Sequence, residues 1–208
     1  MGWRSGLAAL VGATLLTAGV VFALSTPDEA PPEPRPEADP EPSTLASYDT
    51  RGVSVVRGPF CDRVSPTGVE HALADVPTDS EEWTNGDREL LPDGTRDRVQ
   101  EYGCRWTADD GTEASAWVFA PPVTRAFAGE LAGDMPAMKC RAMPDAEPFG
   151  VPGANALCTL NTGDTLVEHA GLFGDAWLMC TLTATAGPAD LPARASEWCV
   201  QVVEAARS

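Results

Sequence analysis

Six cysteines, Cys61, Cys104, Cys140, Cys158, Cys180 and Cys199, are the side chains of this sequence with the most chemistry open to them. A thiolate can ligate zinc or copper, attack an electrophile, or oxidise with a second thiol. No C-x-x-C pair occurs, and the successive separations of 43, 36, 18, 22 and 19 residues match no zinc pattern. An even number of cysteines, all beyond residue 60, is what an oxidising compartment predicts, so the expectation is three disulfides. The sequence leaves their connectivity open. Respecting the order of the elements below gives Cys61 with Cys104, Cys140 with Cys158, and Cys180 with Cys199.

The other chemistry-bearing groups are sparse. Met135-x-x-Met138-x-Cys140-x-x-Met143 sets thioethers around a thiol, ligands that suit Cu(I), and supports an alternative reading as an extracytoplasmic copper or metal-handling protein. Against it, Cys140 is expected to be oxidised, Met138 and Met143 would fall on opposite faces of a strand, and methionine is an ordinary core filler. Asp87, Glu89, Asp93 and Asp97 are calcium-type ligands, but they lack the order of an EF-hand loop. His71, between Glu70 and Ala72, reads as a solvated helix residue, and His169 as an exposed strand position. No G-x-S-x-G element accompanies them, so no catalytic residue and no cofactor is assigned. Trp83 lies between Glu82 and Thr84 in a stretch with little else apolar. It is either folded back on the core or offered to a partner, and tryptophan is enriched at interfaces.

The elements that must position these groups follow from patterning. Ser65-Pro66 starts a short helix with Val69, Ala72, Leu73 and Val76 at helical spacing, and Cys61 precedes it. Residues 77–97 hold Thr78-Asp79-Ser80, Asn85-Gly86 and Pro92-Asp93-Gly94, which predict a long polar loop. Val99 to Trp106 alternates, with Tyr102, Cys104 and Trp106 on one face, and a turn at Asp109-Asp110-Gly111 leads to a strand from Ala114 to Ala120. Pro121-Pro122 opens a helix bearing Val123, Phe127 and Leu131, closed by Gly133. Strands are expected at 137–143, 155–160, 165–172 and 176–185, then a helix from Asp190 to Ala206 with a stripe of Leu191, Ala195, Trp198, Val202 and Ala205. Strands with a few helices and no βαβ alternation predict an α+β domain, an antiparallel sheet with helices on one face.

Composition then divides the chain. Its 208 residues carry 31 acidic and 14 basic side chains, a net charge of −17, with Lys139 the single lysine. That balance excludes a surface built to neutralise nucleic-acid phosphates. Residues 6–24 carry no charge and are long enough to cross a hydrocarbon core of about 30 Å. Arg4 precedes this run, while Asp28 and Glu29 follow it, which keeps the amino end (residues 1–5) inside and sends the rest outside. The run is either an uncleaved single-pass anchor in the cell membrane or a signal peptide, since Val21-Phe22-Ala23 suits cleavage and secretion. Residues 25–49 begin as alternating proline and carboxylate, which predicts an extended, disordered acidic spacer. Residues 50–208 read as the folded extracytoplasmic domain. Residues 43–208 still hold 25 acidic against 12 basic side chains, so the acid excess belongs to the folded surface as well.

Cys61 before a short helix, Tyr102-Gly103-Cys104-Arg105-Trp106 on a strand, Phe149-Gly150-Val151-Pro152-Gly153-Ala154-Asn155-Ala156, a strand centred on Trp177 and a closing amphipathic helix together resemble a family. It is a family of small exported actinobacterial envelope proteins, some of them lipoproteins, with no assigned function. In outline the pattern is also similar to the extracellular sensor domains of mycobacterial-type kinases. The resemblance spans about residues 58–206 and implies a membrane anchor or lipid anchor, a spacer and one α+β domain. This chain departs from it by lacking an anchoring cysteine and by carrying extra cysteines in its second half. The expectation is a non-enzymatic, membrane-tethered binding protein of the bacterial envelope, with a small ligand or another envelope component as partner and residues 77–97 as the contact loop.

Overall fold

Alternation of small and β-branched residues with polar ones builds most of the structure, a computed structural model that describes residues 43–90, 94–135 and 140–208. The apolar run 6–24, the proline-rich spacer up to residue 42, Asp93, Met138 and Lys139 lie outside the described residues. In chain order come a 3-10 turn at Cys61–Arg63, α1 (Pro66–Leu73), β1 (Asp79–Trp83), β2 (Arg88–Leu90), β3 (Arg96–Arg98), β4 (Glu101–Thr107), β5 (Glu113–Phe119), α2 (Arg125–Asp134), β6 (Cys140–Ala142), β7 (Gly153–Thr159), β8 (Thr165–Phe173), β9 (Ala176–Ala184) and α3 (Leu191–Ala206). Seven strands form one antiparallel sheet in the order β1-β4-β5-β9-β8-β7-β6, and β2 and β3 pair as a separate two-stranded ribbon. The domain is therefore α+β, with an antiparallel sheet.

One face of the sheet makes the main core. Ala114, Ala116 and Val118 of β5, Leu178, Cys180 and Leu182 of β9, and Val167 of β8 point to the same side, where α3 covers them. α3 has Pro192 in its first turn and buries Leu191, Ala195, Trp198, Val202 and Ala205, the stripe expected from sequence. Trp198 donates its indole N–H to the Ser115 carbonyl (3.1 Å) and meets Trp106 edge to face at 5.5 Å. α1 packs on α3, and the buried Arg194 guanidinium locks the pair by donating to the Ala72 carbonyl at 3.0 Å. Leu45 is also buried in this core and donates its amide to Ser196 Oγ (2.9 Å), so packing begins ahead of Thr50.

The helices are not confined to that face. α2, whose first turn is capped by Thr124 accepting from the Phe127 amide, packs on the other side against Ala170, Leu172 and Trp177. The cause lies in β8 and β9, which are buried on both faces from His169 to Phe173 and from Ala176 to Leu178, as a strand covered twice must be. Residues 77–97 also differ from the expected loop. Five of them form β1, the edge strand, whose Asp79 to Glu82 are all exposed. An edge strand with one paired side can be polar throughout, so it carries no hydrophobic alternation for a sequence reading to find.

All three disulfides join the expected cysteines, with Cα separations of 5.9 Å for Cys61–Cys104, 3.9 Å for Cys140–Cys158 and 5.6 Å for Cys180–Cys199. The first and third tie a helical segment to the sheet, and the second links directly paired positions of β6 and β7.

Candidate functional site

α2 covers only the end of its face near the β8–β9 turn, where Val123 donates its amide to the Asp175 carbonyl at 2.8 Å. The rest of that face is open and floored by side chains in cross-strand rows. One row runs Trp83, Gly103, Trp117, Met179 across β1, β4, β5 and β9, and the next runs Glu81, Arg105, Ser115, Thr181, Glu168 as far as β8. The resulting groove, about 420 Å³, is walled by Trp83 and Trp117 at one side and by Leu160 and Leu166 at the other. A second depression of about 520 Å³, lined also by Asp87, Arg88 and Val99, adjoins it, and the two share Trp83, Glu101 and Arg105.

Glycine at position 103 makes the aromatic wall possible. A Cβ there would stand 2.3 Å from Trp83 Cζ2 and 2.8 Å from Trp117 Cβ, so the Trp83 indole lies across β4 in the space a side chain would fill. The indole N–H donates to Glu101 Oε1 at 2.9 Å, which fixes the ring while leaving it half-buried. Trp83 therefore takes both options open in the sequence, packing on the sheet and remaining available at the groove edge. Trp117 is half-buried beside it because Ala114, Ala116 and Val118 point to the opposite, α3-covered face.

The polar floor is acidic. Arg105 sits between Glu81, with which it forms an ion pair, and Glu113 (3.8 Å). Burial raises the Glu113 carboxyl above its ordinary pKa, with Arg105 opposing the shift and Glu81 adding to it. Glu168, facing the groove between Thr181 and Ala156, has no hydrogen-bond or ion-pair partner among the described residues, and burial alone raises its pKa. A surface of this kind can stack planar or aliphatic groups and solvate cations.

The remaining sequence candidates lie elsewhere. Met135 packs with the α2 cluster on one face, Met143 packs against the main core on the other, and Cys140 is held in its disulfide. Among the described residues no three His, Cys, Asp or Glu side chains converge as a metal-binding set. His71 is exposed on α1 and pairs with Glu197 at 3.1 Å. His169 is the correction among the histidines. It is only 2% exposed, on the α3 side of β8, with Nδ1 bonded to Asn155 Oδ1 at 2.7 Å, and burial lowers its pKa to about 4. Its neighbour Glu168 takes the open face instead, because successive strand residues alternate.

Sequence reasoning singled out Trp83 and missed Gly103, Trp117, Glu101 and Glu168. The strand from Ala114 to Ala120 carried the signal for Trp117: small residues at every second position mark the covered face and leave the tryptophan on the other. No known protein-family model matches the chain, and no curated protein is significantly similar to it.

Proposed function

We propose that this is a non-catalytic binding module of the bacterial cell envelope, tethered outside the membrane through its apolar N-terminal run, and that the open sheet face is its ligand surface. The observation that carries the reading is the Trp83–Gly103–Trp117 row. The half-buried Trp83 indole lies over a position kept free of a side chain and is anchored by Glu101, and the half-buried Trp117 stands in the same row on the next strand. Tryptophan is among the residues enriched where binding energy concentrates at interfaces. Three disulfides support the extracytoplasmic setting, since such bonds persist in oxidising compartments. The resemblance to exported actinobacterial envelope proteins points the same way.

The test is site-specific photocrosslinking in intact cells that make the full chain. p-Benzoylphenylalanine replacing Thr183, in the groove, is expected to give a discrete adduct that disappears when Trp83→Ala and Trp117→Ala are added. The same probe replacing Glu70, exposed on α1, is expected to give none. Equal adducts from both positions, or an adduct indifferent to the tryptophans, would overturn the assignment of this face. Protease added to spheroplasts should remove the domain, and protection would overturn the extracytoplasmic placement.

A further inference from the structure

Resting on that reading of the face, we infer that its occupant is an extended polypeptide segment bearing lysine or arginine side chains, lying across the strands from Trp83 to Glu168. The groove's length sets the form of the ligand. From β1 to β8 the floor crosses four inter-strand steps of about 4.8 Å, so about 19 Å, which an extended segment of about six residues spans.

Charge sets the chemistry. Glu101, Glu113 and Glu168 line the groove, while Arg105 is the one cation among its described lining residues and is already paired with Glu81 and Glu113. A carboxylate on a half-covered sheet floor is disfavoured while it has no counter-ion, and an incoming ammonium or guanidinium supplies one. At the other end, the faces of Trp83 and Trp117 suit the aliphatic stems and cationic heads of the same side chains. Glycine at position 103 lets the Trp83 indole lie flat across β4, so that the ring itself forms this end of the floor. A second copy of this chain is the wrong partner, because residues 43–208 carry 25 acidic against 12 basic side chains and repel their like.

The experiment titrates the full chain, 15N-labelled at tryptophan in non-ionic detergent micelles, with three capped hexapeptides: acetyl-(Lys-Thr)3-amide and its Gln and Glu counterparts. The expected result is shifts of the Trp83 and Trp117 indole N–H signals with the lysine peptide. Its Kd should be at least tenfold lower than that of the glutamine peptide, with no detectable binding of the glutamate peptide. Glu168→Gln and Glu113→Gln should each raise that Kd about five- to tenfold, and Glu70→Gln should leave it unchanged. Equal binding of the lysine and glutamine peptides at these indoles would overturn the cationic chemistry and leave the binding face intact. Tetramethylammonium competing as well as the lysine peptide would overturn a polypeptide occupant in favour of a small cation. Chitotriose, a neutral oligosaccharide, moving the same indoles while no peptide does would replace the peptide altogether. No response to any probe, with the Thr183 adduct still formed in cells, would overturn the peptide class alone; loss of that adduct as well would remove the face.

Discussion

Replacing Gly103 by alanine puts a methyl group where the Trp83 indole now lies. An ideal Cβ there stands 2.3 Å from Trp83 Cζ2, 2.5 Å from its Cε2 and 2.8 Å from Trp117 Cβ. Unstrained carbon contacts are about 3.5–4.0 Å. Trp117 Cβ is fixed by its strand, so the mobile partner, Trp83, must swing away and release its bond to Glu101. Overpacking of this kind costs about 1–3 kcal/mol, and the lost hydrogen bond about 0.5–1.5 kcal/mol. Alanine returns about 0.5–1 kcal/mol of strand preference over glycine. The net expected loss is about 2 kcal/mol. In a Trp83→Ala background only the contact with Trp117 remains, so the same substitution should cost about 1 kcal/mol or less, a coupling of about 1–2 kcal/mol between the two sites. Urea denaturation of the four proteins gives the cycle, and the Trp83 indole N–H resonance reports whether the ring has moved. A Gly103→Ala protein within about 0.5 kcal/mol of wild type with that resonance unchanged would refute the packing described for the aromatic row. So would an equal cost in both backgrounds.

Two further outcomes follow from the core. Cys61–Cys104 closes a 43-residue separation, while the other two bridges close 18 and 19. In the chain-entropy account these stabilise by about 4 and about 3 kcal/mol. Paired serine substitutions should therefore lower the urea midpoint most for Cys61 with Cys104, and the reverse order would contradict that account. His169 ties stability to pH. Its folded pKa, about 4, lies below the ordinary 6.5, so as pH falls through that window the unfolded chain takes up a proton that the folded chain refuses. Stability should drop by about 3 kcal/mol between pH 6.5 and 4 and then level off. Glu168 acts with the opposite sign, since a raised carboxyl pKa makes acidification favour the folded state, and Glu168→Gln removes its contribution. In that background His169→Gln should flatten the slope, and an unchanged slope would refute burial of a neutral imidazole as its source.

Much of the frame was legible because it rests on local signals. The α3 stripe from Leu191 to Ala205, the Ser65-Pro66 helix start, and the alternation of Tyr102, Cys104 and Trp106 each express one element's own geometry. The three bridges join the cysteines that element order favoured, although the sequence left the connectivity open, because their partners meet only across 43, 18 and 19 positions of the chain. α2 begins later than its prolines suggest, at Arg125 after the Thr124 cap, because only the cap satisfies the amide of Phe127.

The candidate site is a different kind of object. Trp83, Gly103, Trp117 and Glu168 lie on four strands, up to 85 positions apart in the chain, and none has a local pattern that ties it to the others. Only the pairing register brings the first three into one row, and only the partial cover by α2 leaves their end of the face open. The same register decides between adjacent residues, turning His169 into the core and Glu168 toward solvent. A sequence determines which side chains alternate and which segments bury an apolar stripe, because those are properties of a single element. Which residues share a face, and which face stays uncovered, depends on strands meeting across long separations, and that is settled only when the whole sheet closes against its helices.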